Sequence, residues 1–306
     1  MDDFFMNLLF ILLIVGTFYV FFFNSQSPIN VNPSSPSVIK SNHGTQVHNK
    51  IVVSTWGSNI DTDGNPFLNY LNDLRRSLNL PPYIHDKELD DIAYAYAKRL
   101  ARFKAISHVD PETNENVYDR LDKNNIFYLS AGEVLALVSS KDTNYSKVAE
   151  RIVNMWVQSP THRAIVLDDE NIFTHAGFGM ECVKGNSTSY CYAVGVVVSR
   201  IYSMSNVELA PSQGAYITLY DEKDLPVYIN VDLKSSSDVC LYLVPSYESF
   251  TNWSAGKEFS YIDVSCGRSP EILSMIRKGY GLFVVNQRDI STVFSLKVYY
   301  DVKLPS

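Results

Sequence analysis

Apolar residues fall along this chain in four patterns, and each predicts a different kind of segment. Across residues 4–23 they are nearly continuous, broken only by Asn7, Gly16 and Thr17. A helix of that length reaches about 30 Å, the thickness of a bilayer's hydrocarbon core. A cleaved leader has a shorter apolar stretch, roughly 7–15 residues, behind a basic start. Here the run follows Met1-Asp2-Asp3, so residues 1–23 read as a membrane anchor or uncleaved signal. Residues 24–50 are rich in Ser, Asn and Pro with no hydrophobic period, the composition of a flexible tether.

A short β-type run, Ile51-Val52-Val53, leads into helical spacing. Asn65 is a suitable N-cap, and Pro66 fits the first helical position, where its missing N–H costs nothing. Phe67, Leu71, Leu74 and Leu78 then recur at helical intervals until Pro81-Pro82 ends the element. A second helix opens with Asp86 as cap and Glu88 in its first turn, and Leu89, Ile92, Ala93, Tyr96, Ala97 and Leu100 form its apolar stripe. Val148, Ile152, Met155 and Trp156 mark a third helix that ends before Pro160.

The period then shortens to two. Residues 175–183 and 190–199 read as strands flanking a turn-rich tip at 184–189. Cys182 and Cys191 are equidistant from that tip, so an antiparallel hairpin sets them face to face, as a cross-strand bridge requires. From about residue 206 the pattern shows only short strands: 215–219, 226–233, 239–244, 259–264, 281–286 and 293–302. Such spacing predicts a small antiparallel sandwich. The expected division is therefore an α+β domain at 51–204 and an all-β domain at 205–306.

Composition narrows the function. The 306 residues are 46% hydrophobic and 19% charged, as in folded proteins, and net charge is −7 without any block of Lys or Arg. A phosphate backbone wants a basic face, so a nucleic-acid partner is not expected. With 14 Gly and no GxGxxG or GxxxxGK[ST], the phosphate-cradling folds lack support as well. Four cysteines fall into two pairs, Cys182–Cys191 and Cys240–Cys266, and Asn-x-Ser/Thr sequons occur at Asn144, Asn186 and Asn252. Both features suit a chain whose bulk faces the oxidising exterior of the cell.

Three polar residues carry candidate chemistry. His108 follows the second helix, Glu133 sits among small and apolar residues in Ser130-Ala131-Gly132-Glu133-Val134, and His162 follows Ser159-Pro160-Thr161. Taken alone, each His reads more readily as a hydrogen-bonded structural residue, and Glu133 as a buried carboxylate paired with a nearby cation. Together, two imidazoles and a carboxylate suit a divalent transition metal or acid–base work.

Residues 67–200 resemble the CAP superfamily, also called the SCP domain, particularly its short microbial branch. The resemblance rests on Asn72-Asp73-Leu74-Arg75, Leu80-Pro81-Pro82, Asp86, Leu89, Ala93 and Ala97. It continues through Ser107-His108, Gly132-Glu133, Trp156, Ser159-Pro160-Thr161-His162-Arg163 and Gly177-Phe178-Gly179. It implies a three-layer α-β-α sandwich whose cleft gathers His108, Glu133 and His162 around a divalent metal such as zinc. Ser159, Arg163 and His175 become cleft-lining candidates. Two departures stand out. Ser159 occupies a place where many members have a second Glu, leaving an open position or a carboxylate from Glu170 or Glu181. Val134 also replaces the more usual Asn after Gly-Glu.

The family has no single activity, and a fold does not decide one. The expectation is a membrane-anchored, extracytoplasmic binding module for a small apolar, peptide or glycan ligand, and not an enzyme. The alternatives are a metal-dependent, peptidase-like hydrolase, in which Glu133 serves as ligand or general base, and a surface adhesion or envelope protein acting through the β-domain. A Ser/His/Asp triad has no Gly-x-Ser-x-Gly elbow to support it.

Overall fold

The computed structural model describes residues 20–23 and 64–302, apart from 143 and 220–224. The expected anchor up to residue 19, the 24–50 tether and the 51–53 run lie outside the described residues. Val20–Phe23 form a strand, β1, where the sequence predicts the last turn of a membrane helix. Among the described residues, no helix is long and apolar enough to cross a membrane.

Local capping builds the first helices where the sequence places them. In α1 (Pro66–Ser77) the Asn65 side chain accepts the backbone N–H groups of Phe67 and Leu68, satisfying two donors left open at the helix start. After β2 (Ile84–His85), Asp86 does the same for Glu88 and Leu89 at the head of α2 (Lys87–Phe103). A capping box between Asn116 and Asp119 starts the short α3 (Val117–Lys123), two turns that are too few to show a period. There follow β3 (Ser130–Ser140), α4 (Tyr145–Gln158), α5 (Pro160–Val166), β4 (His175–Lys184) and β5 (Ser189–Ser199). The predicted third helix does end before Pro160, but Pro160 at once opens α5, so His162 lies inside a helix and not in a loop.

These strands form one sheet in the order β2-β4-β5-β3. The β4–β5 hairpin aligns Cys182 with Cys191, and the two are disulfide-bonded. Strand β5 is buried on both faces. Its Tyr192, Val194, Val196 and Val198 pack with Leu89, Tyr96 and Leu100 of α2 and with Leu121 of α3. Its Cys191, Ala193 and Val197 pack with Phe67 and Leu71 of α1 and with Ile152 and Trp156 of α4. This two-sided burial explains the near-continuous apolar reading of the strand. Helix α2 lies against β4 itself. A Cβ on Gly177 would stand 2.3 Å from the Asp90 nitrogen, and one on Gly179 2.3 Å from that of Tyr94.

Beyond Arg200 the chain is β-rich: β6 (Ile201–Leu209), β7 (Gly214–Thr218), β8 (Val227–Ser235), β9 (Val239–Val244), α6 (Tyr247–Ser254), β10 (Asp263–Gly267), β11 (Glu271–Ile276), β12 (Gly281–Val285) and β13 (Thr292–Tyr300). Two antiparallel sheets result, β1-β7-β12-β9-β10 and β11-β8-β13-β6. They share one apolar cluster that includes Ile217, Val231, Leu241, Leu282 and Val298. Cys240 pairs with Cys266 across β9 and β10 and is bonded to it.

The expected boundary at 204/205 moves to Arg200, because β6 already pairs with β13. Strand β6 escaped the sequence reading because it is a sheet edge and carries Ser203, Ser205, Asn206 and Glu208. The strand predicted at 259–264 begins instead at Asp263. Phe259 and Tyr261 join Phe250, Trp253 and Phe283 in a separate aromatic layer, beside α6.

Candidate functional site

The site is assembled at the head of the edge strand β3. Glu133 lies there opposite Val196 of β5, with its side chain only 2% exposed. Its neighbour Gly132 lets the α5 side approach: a Cβ there would meet Ile165 Cγ2 at 3.2 Å and Phe173 Cζ at 3.2 Å. His108 arrives from the loop after α2, and His162 from the first turn of α5.

That loop is held firmly. The Tyr96 hydroxyl donates to the Ser107 carbonyl, and burial pushes the Tyr96 phenol up to about 12, so it stays a donor at neutral pH. Asp110 accepts from the Glu112 and Thr113 backbone N–H groups and pairs with Arg99. Burial alone would raise the Asp110 carboxyl; these backbone N–H groups and Arg99 outweigh it and hold the group below its usual range. The result is an exposed imidazole on a fixed base.

His108 Nδ1 stands 2.8 Å from Glu133 Oε1. The other oxygen, Oε2, accepts from Arg120 of α3. Arg120 is itself buried: it donates to the Glu115 carbonyl at 2.8 Å and lies 3.7 Å from the centroid of the Tyr96 ring. Such a desolvated carboxylate needs both partners, since an unpaired buried charge is strongly destabilising. That contact engages Nδ1, which leaves Nε2 of the exposed His108 ring for solvent or a ligand.

His162 sits in the first turn of α5. Its Nδ1 is 2.9 Å from the Ser159 hydroxyl. Burial, and after it the neighbouring His108, push the His162 imidazole below its ordinary 6.5. Arg163 is exposed on the same helix. His175 belongs elsewhere. It is buried, and its Nδ1 is 2.8 Å from Thr174 Oγ1, which also accepts the Arg200 backbone N–H. Glu181 lies far along β4 and interacts with Tyr94, not with this site.

The structure thus joins His108 to Glu133 and brings His162 within electrostatic reach of His108. It does not gather the three as a metal centre. Among the described residues, no group of three or more His, Cys, Asp and Glu side chains could hold a metal ion. Both oxygens of Glu133 are engaged, one by a permanent cation, so the donor set does not fit the zinc site that the resemblance implies. Sequence reasoning missed Arg120, Tyr96 and Asp110. The Asn116-x-x-Asp119 capping signature marks the helix that carries Arg120, but nothing in the sequence aims its guanidinium at Glu133.

A cleft of about 440 Å³ opens between α2 and α3, and Arg120 lines it together with Glu88, Asp91, Arg99, Glu115 and Lys123. Its walls mix both signs of charge, unlike an apolar pocket.

The comparisons with known proteins bear on the α+β domain. Residues 68–198 match the CAP family, described as the cysteine-rich secretory protein family. Among solved structures, the chain is similar to an extracellular protein containing a SCP domain from Bacillus anthracis str. Ames. The TM-score is 0.34 and the identity 22%, over 43% of this chain and 38% of that one. The chain therefore spans about two fifths of that relative. No curated protein matches.

Proposed function

We propose that residues 64–199 form a three-layer α-β-α CAP domain that works, with the β-domain behind it, as an extracytoplasmic binding module for a polar peptide or glycan ligand. The observation that carries this reading is the His108–Glu133 contact. A buried carboxylate pins one nitrogen of an exposed imidazole, so the other is presented to a ligand in a fixed orientation. His162, whose Nδ1 meets the Ser159 hydroxyl, lies within electrostatic reach of His108. An exterior location is supported by both disulfides, which account for every cysteine of the chain. Residues 4–23 supply the membrane tether in this proposal. Exposed Asn144 and Asn186 are the sequons open to glycans, whereas Asn252 is half-buried within α6.

The test is binding of the detergent-solubilised full chain to peptide and glycan arrays, wild type against His108→Ala/His162→Ala. Loss of one or two oriented hydrogen bonds is expected to weaken the captured ligand roughly tenfold. Equal binding by the double variant would remove these residues from the ligand site.

The same contact favours a second reading, a hydrolase in which His108 acts as general base. A carboxylate-oriented imidazole has the geometry for it. In that case hydrolysis of peptide or ester substrates disappears in His108→Ala.

A further inference from the structure

We infer that Arg120 is the resident counter-cation of Glu133, occupying the place that the resemblance assigns to a divalent metal, and that it positions His108 through that carboxylate. Three observations carry the inference. The Arg120 and Glu133 side chains are each 2% exposed, so their charges face one another and little solvent. The two carboxylate oxygens are divided between Arg120 and His108, one partner on each. The guanidinium is wedged between the Tyr96 ring and the Glu115 carbonyl, and therefore cannot swing aside without losing both contacts.

The electrostatics follow from this packing. A dication beside Glu133 would stand within a few ångströms of a permanent positive charge that is shielded from water, where repulsion is weakly screened. Arginine keeps its charge at any accessible pH, so the exclusion does not relax on titration. Its positive role is to hold the buried Glu133 carboxylate by one oxygen, so that the other stays 2.8 Å from His108 Nδ1 and fixes the ring. Arg120 is thus a positioning residue, acting on a ligand or proton only through Glu133 and His108.

Zinc alone is the probe. The full chain is titrated with zinc at neutral pH as wild type, Arg120→Lys, Arg120→Met and Arg120→Met/His108→Ala, with circular dichroism to confirm folding. Wild type and Arg120→Lys are expected to take up no stoichiometric zinc. Arg120→Met is expected to gain affinity by about a hundredfold or more, and the double variant to lose the gain. One zinc per wild-type chain that depends on Glu133 overturns the inference, as does a folded Arg120→Met that gains none. Should Arg120→Met fail to fold, nitrogen-15 spectra of the wild-type imidazoles decide. The inference requires His108 protonated at Nδ1 and unmoved by zinc; a zinc-shifted His108 refutes it.

Discussion

Arg200 Nη1 lies 2.7 Å from Asp86 Oδ2, and this pair ties the α+β domain to the β-domain. Asp86 caps α2, while Arg200 is the single residue between β5 and β6. The same guanidinium reaches Asp301 at 3.4 Å and the Phe127 carbonyl at 3.0 Å. Phe127 in turn stacks on Tyr300, with ring centroids 5.1 Å apart. Both charges of the pair are buried. Arg200→Met, which leaves Asp86 without its cation, is therefore expected to cost about 3–5 kcal/mol, the range for a broken buried ion pair. Urea unfolding measures it. A loss below about 1 kcal/mol would show that the joint does not depend on this pair.

The approach of α2 to β4 gives a second expectation. A methyl group at Gly177 would overlap the backbone of Leu89 and Asp90, which no side-chain rotation relieves. Gly177→Ala must push the helix outward, at a cost of about 1–3 kcal/mol or more. Because Tyr96 and Arg99 ride on that helix, His108 should also lose its fixed position. The check is the thermal midpoint together with the His108 ring signals, both of which are expected to change.

The two disulfides can be separated by loop length. Cys182–Cys191 closes a separation of 9 residues and Cys240–Cys266 one of 26. By chain entropy the shorter bridge contributes about 2–3 kcal/mol and the longer about 3–4 kcal/mol. Paired Cys→Ala variants, unfolded in urea, are expected to rank in that order. The reverse order would mean that native-state contacts around the bridges outweigh loop closure.

Helix starts were legible in the sequence because capping is local: Asn65 and Asp86 stand next to the backbone groups they satisfy. The cross-strand cysteines were legible for a related reason, since a hairpin's register follows from symmetry about its tip. Strand β3 was hidden because it is apolar on both faces around Glu133, with no alternation to betray it. His108 and Glu133 stand out in the sequence and the resemblance implies that they meet, but nothing there marks Arg120. Its pairing spans 13 residues of chain and depends on how α3 packs against β3, which no local pattern encodes.

His162 sets a pH dependence whose sign is fixed. Its native affinity for protons is lowered by burial and by His108, so the unfolded chain binds a proton first as the solution is acidified. The contribution to stability is intact above the unfolded value of 6.5, and it is lost as pH falls from there through the depressed native value. His162→Gln removes the titration. Wild type is expected to lose stability more steeply than this variant just below 6.5 and to run parallel with it above. Parallel curves throughout would show that the ring is as free to protonate in the folded chain as in the unfolded one.

Strand β1 and a membrane span compete for the same residues. Val20–Phe23 pair with Ile217–Gly214 along β7, so a helix through residues 4–23 must first release that edge. In the anchored form β7 becomes the border of the five-stranded sheet, with a row of backbone groups open to a second strand. Amide hydrogen exchange along residues 214–218 reads the difference directly. Exchange is expected to be slow in the detergent-solubilised full chain and faster when the protein is reconstituted in lipid vesicles or shortened to begin at residue 24. The shortened chain should also self-associate through the bared edge. Equal protection in all three forms would mean that β7 never relied on residues 20–23, and that the apolar run is free to span a bilayer without any cost to the β-domain.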